Sequence, residues 1–116
     1  MKRIAIDMDD VLAKTTHVII ERINKIVSKE YTYEELLNGN EAKKLEFYAH
    51  YLEHNSFLWE PGFFTTIPVN EDAVEVVKKL HSQYEIFIVS AATEFPNSLK
   101  EKLDWMEMHF PFITWR

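Results

Sequence analysis

The chain has 116 residues, 47% of them hydrophobic and 14% aromatic, which is enough for one domain with its own core and excludes a disordered segment. Nineteen acidic against thirteen basic side chains leave a net charge of −6, which argues against non-specific binding to nucleic acid polymers or to anionic membranes. There is no cysteine, so disulfide staples are excluded and a reducing, cytoplasmic setting is expected; the short apolar run after Lys2 and Arg3 is soon broken by Asp7 and reads as neither a signal peptide nor a membrane span.

In chain order, "RIAIDM" (Arg3–Met8) reads as a short buried strand, followed by an acidic loop, "DDVLAK". A helix is expected over Thr15–Ser28, with Ile19, Ile23, Ile26 and Val27 as its apolar stripe. Thr32 and Glu35 have capping-box spacing and Gly39 suits a helix C-terminus. A longer helix then starts near Asn40, with Leu45, Tyr48, Ala49 and Leu52 facing inward. Residues 15–56 therefore read as a helical group inserted after the first strand. "FLWEPGFFTTIPVN" (Phe57–Asn70) is an irregular aromatic connection. Asn70 reads as the N-cap of a helix with Ala73, Val76, Val77 and Leu80 buried. "YEIFIVSAA" (Tyr84–Ala92) is a second strand, apolar enough to be covered on both faces. A last helix, capped by Asn97 or Ser98, would turn Leu99, Leu103, Met106 and Phe110 inward, and "PFITWR" begins another extended piece.

Strand, helices, helix, strand, helix predicts an α/β fold with a parallel sheet, whose ligands bind at the carboxyl ends of the strands. Asp7–Asp10 and Ser90–Thr93 occupy those ends. If the strand geometry continues through Met8, Asp7 and Asp9 lie on the same side and Asp10 points elsewhere. A same-side carboxylate pair suits Mg²⁺, a hard cation with oxygen ligands. Such a pair can also divide two roles, one group attacking as nucleophile and the other moving a proton. Ser90 could donate a hydrogen bond to a phosphate oxygen. The plain alternatives are a solvated strand end for the aspartates, core packing for Trp59, Phe63 and Phe64, and solvated helix faces for Lys78–Lys79 and Lys100–Lys102. His50 and His54 are one helical turn apart but lack an evident third metal ligand.

"IAIDMDDVLA" and "FIVSAA" resemble the first two motifs of the haloacid-dehalogenase-like superfamily. "DMDDVLA", "PGFF…IPV" and "YEIFIVSAA" leading into "FPNSLKEKLDW" resemble, over essentially the whole chain, the 5'(3')-deoxyribonucleotidases. The resemblance implies a Rossmann-like core (1–14 and 57–116) with a small helical cap (15–56). It implies a Mg²⁺-dependent phosphatase acting on (deoxy)ribonucleoside 5'- or 3'-monophosphates. Asp7 would be the nucleophile and form an aspartyl-phosphate, and Asp9 would be the general acid and base. Mg²⁺ would bind the Asp7 side chain and the Asp9 carbonyl. Met8, Asp9, Ser90 and Ala91 would hold the phosphate, and Trp59, Phe63 and Phe64 would lie near the base. The family's lysine and acidic pair would fall beyond Arg116, and so would the core strand that neighbours the first one. The chain therefore reads as a shortened form, with a bare strand edge open to strand exchange in a homodimer. The competing readings are an inactive fragment or a nucleotide- or partner-binding module. A phospho-acceptor receiver domain fits less well, because the second strand ends in Ser90-Ala91-Ala92 and not in an acceptor aspartate.

Overall fold

The computed structural model describes residues 2–89 and 98–113. It has the expected α/β class. The elements are β1 (Arg3–Asp7), α1 (Thr15–Val27), α2 (Tyr33–Leu37), α3 (Glu41–His54), α4 (Ala73–His81), β2 (Glu85–Val89) and α5 (Ser98–His109). Short 3-10 helices cover Asn55–Trp59 and Phe64–Thr66. β1 and β2 pair in parallel, from Arg3 opposite Glu85 to Asp7 opposite Val89. That pairing requires a crossover, which the chain makes through the helical group, the aromatic segment and α4. Residues 111–113 form a turn and a bend where an extended piece was expected.

One face of the sheet is covered. Ile4, Ile6, Ile86 and Ile88 pack against the core, and α4 lies against β2 with Val77 buried. The opposite face carries Ala5, Asp7, Phe87 and Val89, and Val89 is 49% exposed. The expectation that β2 is covered on both faces is therefore corrected, because among the described residues α5 packs on the aromatic segment and not on this face.

The densest part of the core joins that segment to α5. Trp105, Met106 and Phe110 are fully buried in one cluster with Phe57, Leu58, Phe63, Phe64 and Ile67. The Trp105 indole N–H donates to the Ile67 carbonyl at 2.6 Å, which satisfies the buried ring's one donor. The Glu101 carboxylate accepts from the main-chain N–H groups of Gly62 and Phe64, both at 3.0 Å. Gly62 has φ +88°, a left-handed turn that lets the chain present those two amides together. On α5 the expected inward positions Leu99 and Leu103 are exposed, whereas Glu101, Lys102 and Trp105 are buried. The helix is rotated so that its largest side chain faces inward. His109 lies tilted against Trp105, centroids 4.6 Å apart, and burial holds that imidazole below its ordinary pKa.

The helical group follows the capping signals closely. Thr32 and Glu35 form both bonds of the capping box, the Asn40 side chain accepts from Lys43 N–H, and Gly39 takes φ +98°. Its packing differs from the expected stripes. In α1 the buried residues are Thr15, Ile20 and Ile23; of the expected stripe Ile19 and Val27 are half-buried against the core and only Ile26 is exposed. In α3 the stripe Leu45, Tyr48, Ala49 and Leu52 faces outward, with Leu45 71% exposed, and Phe47 and Tyr51 are the inward pair. Tyr31 ties the group together. Asn24 bonds both the N–H and the carbonyl of Tyr31, whose hydroxyl donates to Glu46. Burial, and then that bond, push the Tyr31 phenol up to about 12; the same bond holds the Glu46 carboxyl below its ordinary value. The radius of gyration is 15.8 Å, above the roughly 13 Å of a compact domain of this size.

Candidate active site

The acidic loop is built by short-range hydrogen bonds. The Met8 carbonyl accepts from the N–H groups of Leu12 and Ala13, both at 2.9 Å, and Asp10 N–H donates to the Ala13 carbonyl at 2.8 Å. Asp10 takes φ +64°, a left-handed conformation that aspartate tolerates better than most side chains. The segment after the aromatic connection clamps the loop from outside. Asn70 N–H donates to the Leu12 carbonyl, the Asn70 amide donates to the Val11 carbonyl at 2.7 Å, and Lys14 N–H donates to the Pro68 carbonyl. Asn70 is therefore not the cap of α4, which starts three residues later after Asp72; its side chain is used to hold the loop.

The three aspartates end in three different environments. Asp7 is exposed at the carboxyl end of β1, and among the described residues its side chain makes no hydrogen bond or ion pair. Asp9 is half-buried, with one carboxylate oxygen accepting from the Thr15 hydroxyl at 2.9 Å and the other from the Lys102 ammonium at 3.0 Å. Asp10 accepts from Thr16 N–H at 2.8 Å and from the Thr16 hydroxyl at 2.6 Å. Asp10 thus supplies from outside the cap that Lys14, at the helix start, does not provide, and it places negative charge at the positive end of α1.

Lys102 is the residue that the sequence reading missed. It was read as part of a solvated face, yet it is 5% exposed. Its ammonium lies on Asp9 and 5.0 Å from the centre of the Phe64 ring. A buried ammonium is costly unless it is paired, and the carboxylate and the aromatic face offset that cost. Centring the α5 stripe on Trp105 would have brought Lys102, three residues earlier, to the inward face.

The remaining expected site residues fall in several places. Met8 is buried, and its N–H donates to the Val89 carbonyl at 3.0 Å; the expectation that this amide faces a phosphate is corrected, because the strand ladder uses it. Phe63 and Phe64 are also corrected as pocket residues, since both are buried in the core cluster, edge to face with centroids 5.1 Å apart. Trp59 is 44% exposed. Ser90 and Ala91 lie outside the described residues. Lys14 pairs with Glu71 at 3.7 Å and not with the aspartates.

Among the described residues no cluster of three or more His, Cys, Asp or Glu side chains could hold a metal, whether at the aspartates or at His50 and His54. The donors at the β1 end are hard carboxylate and carbonyl oxygens. That set fits Mg²⁺, which keeps several waters and takes one or two carboxylates from a protein.

The sequence pattern of the family described as "5' nucleotidase, deoxy (Pyrimidine), cytosolic type C protein" matches residues 1–116. The chain is 38% identical over 116 residues to a protein of Staphylococcus epidermidis (strain ATCC 35984), provisionally named 5'(3')-deoxyribonucleotidase, with 97% of this chain and 62% of that one covered. It is 40% identical over 116 residues to a protein of Staphylococcus aureus (strain Mu50) with the same provisional name, covering 97% and 61%. It is 33% identical over 112 residues to the 5'(3')-deoxyribonucleotidase of Bacillus subtilis (strain 168), covering 97% and 63%. The chain thus spans about three-fifths of the length of these relatives.

Proposed function

The chain belongs to this family of 5'-nucleotidases, and on that footing we propose that it hydrolyses (deoxy)ribonucleoside 5'- or 3'-monophosphates through an aspartyl-phosphate on Asp7, with Mg²⁺ as cofactor. The observation that carries the reading is the unequal treatment of two carboxylates at one strand end. Asp7 is exposed, as an attacking group must be. Asp9 is gripped by Thr15 and Lys102, as a group that must hold one orientation while moving a proton should be.

An Asp7 oxygen attacks phosphorus, and the bond from phosphorus to the nucleoside oxygen breaks. The proton that the leaving oxygen takes up passes to it through Asp9, and the second step returns a proton to Asp9 from water. A water then loses a proton to Asp9 and attacks phosphorus; the Asp7–phosphorus bond breaks and inorganic phosphate leaves. The Asp7 carboxylate and the Asp9 main-chain carbonyl would hold Mg²⁺, whose charge offsets repulsion between the carboxylates and an anionic substrate. Asp9 N–H, Ser90 and the Ala91 amide would cradle the phosphate. Residues 15–56 would act as a cap over the nucleoside, with half-exposed Trp59 as the remaining aromatic near the base, and 1–14 with 57–116 would form the core. A cytoplasmic setting accords with the absence of cysteine, and no described helix is long and apolar enough to cross a membrane.

The second reading is a chain that binds a nucleotide or a partner without turnover. Phosphate release from dUMP and dTMP, with and without Mg²⁺, separates the two. The proposal expects Mg²⁺-dependent release that is lost in Asp7→Asn. Release that survives in Asp7→Asn would sink the mechanism, and no release from any nucleoside monophosphate would favour the binding reading.

A further inference from the structure

We propose that Lys102 and Thr15 are positioning residues for the proton transfer at Asp9: together they fix its carboxylate toward the leaving oxygen of the substrate. The inference rests on the roles proposed above for Asp7 and Asp9. Asp9 follows β1 in the acidic loop, one residue before the left-handed turn at Asp10. A side chain on a loop can rotate about both of its torsions unless something holds it. Here each carboxylate oxygen has a partner of its own. The Thr15 hydroxyl donates to one at 2.9 Å and the Lys102 ammonium to the other at 3.0 Å. Bonds to both oxygens fix the plane of the group as well as its place. A carboxylate offers about four lone-pair sites, so two holding bonds and a proton in transfer are compatible.

The two partners are themselves held. Thr15 is the first residue of α1 and is buried. Lys102 sits between two anchors of α5. Glu101, just before it, accepts from the N–H groups of Gly62 and Phe64, and Trp105, one turn later, donates to the Ile67 carbonyl. The Lys102 side chain is buried, with its ammonium 5.0 Å from the centre of the Phe64 ring. Ordering a long side chain costs rotamer entropy. Burial meets that cost during folding, so the ammonium is in place before a substrate arrives. Fold stability alone does not call for this cation, since well-packed apolar residues of similar volume stabilise a core at least as well as an ion pair. The pair stands two residues from exposed Asp7, at the strand end where ligands of a parallel sheet bind. Orientation of the proton-moving group accounts for a charged pair at that place.

First-turnover release of the leaving group, read by rapid quench with Mg²⁺ present, separates orientation of Asp9 from support of the fold. From dUMP the leaving nucleoside oxygen needs a proton; from an aryl phosphate the phenolate departs without one. Lys102→Met is expected to slow release from dUMP about a hundredfold and release from the aryl phosphate less than about threefold. Thr15→Val, nearly the same in shape, is expected to slow release from dUMP about tenfold and to spare the aryl phosphate in the same way. In an Asp9→Asn background neither change should slow dUMP release further, because the group they orient is gone. Equal slowing with both substrates, or slowing with neither, overturns the proposal, as does a loss confined to substrate binding. If Lys102→Met fails to fold, Thr15→Val alone and in the Asp9→Asn background decides by the same criteria. Release from the unaltered chain that is absent, or that survives Asp7→Asn, fails the roles of Asp7 and Asp9 instead, and the positioning role falls with them.

Discussion

Replacing Lys102 by methionine keeps an unbranched stem against Phe64 and removes the cation 3.0 Å from Asp9. The side chains of the pair are 7% and 27% exposed, so it lies between two regimes. Removing one partner of a fully buried pair costs about 3–5 kcal/mol, because the other charge is left uncompensated. Exposed pairs contribute about 0–1 kcal/mol. An intermediate cost of about 2 kcal/mol is expected here. With a urea m-value of roughly 1–2 kcal/mol/M, the unfolding midpoint falls by roughly 1–2 M. The discriminating measurement is the same substitution in an Asp9→Asn background, where the carboxylate charge is already gone. The loss should then shrink to well under about 1 kcal/mol, since contacting pairs are non-additive. Equal midpoint shifts in the two backgrounds would refute the pairing of Lys102 with Asp9.

Other expectations follow from particular residues. Tyr31 should ionise near pH 12, seen as a late step in ultraviolet absorbance that disappears in Tyr31→Phe. Because its folded value is raised above the ordinary 10.0, its stabilisation is complete below pH 10 and is lost as pH rises through about 12. His109 works in the opposite direction. Its folded value is depressed by burial, so its contribution is present above the ordinary value of 6.5 and is lost as pH falls below it; His109→Gln should flatten that acid-side slope in urea melts. Gly62→Ala forces a Cβ into φ +88° at an ordinary contact of 3.8 Å from the Thr65 hydroxyl, so about 1–2 kcal/mol of backbone strain should appear as a lower midpoint without loss of the folded signal.

Local signals in the sequence were readable where local chemistry decides the outcome. The capping box at Thr32 and Glu35, the helix start near Asn40 and the turn at Gly39 appear as expected, because each rests on bonds within a few residues. The two strands and their parallel order were legible for a similar reason: short apolar runs separated by long helical connections leave few alternatives. Which face of each helix is buried was less legible. In α3 and α5 several apolar stripes compete, and the choice depends on what lies opposite. Trp105 settles it in α5 by filling the space against Ile67, and Phe47 with Tyr51 settles it in α3.

The candidate site shows the same division. Asp7 was legible at the carboxyl end of the first strand, with Asp9 and Asp10 in the loop after it. The partners of Asp9 were not, because Thr15 and Lys102 come from elements far apart in sequence and meet only after packing. Asn70 was misread for a related reason. An asparagine before acidic residues is a good helix cap, but here the loop carbonyls of Asp10 and Val11 claim its amide.

The central claim is covalent chemistry at Asp7. Its most direct test is mass spectrometry of the Asp9→Asn chain, quenched in acid after incubation with Mg²⁺ and an aryl phosphate whose leaving group departs without protonation. Without Asp9 to activate water, the intermediate should outlive its formation, and one phosphoryl group labile to hydroxylamine should map to Asp7. A phosphoryl group on another residue, or phosphate release by the unaltered chain with no acyl-phosphate at Asp7 in either protein, would contradict the account.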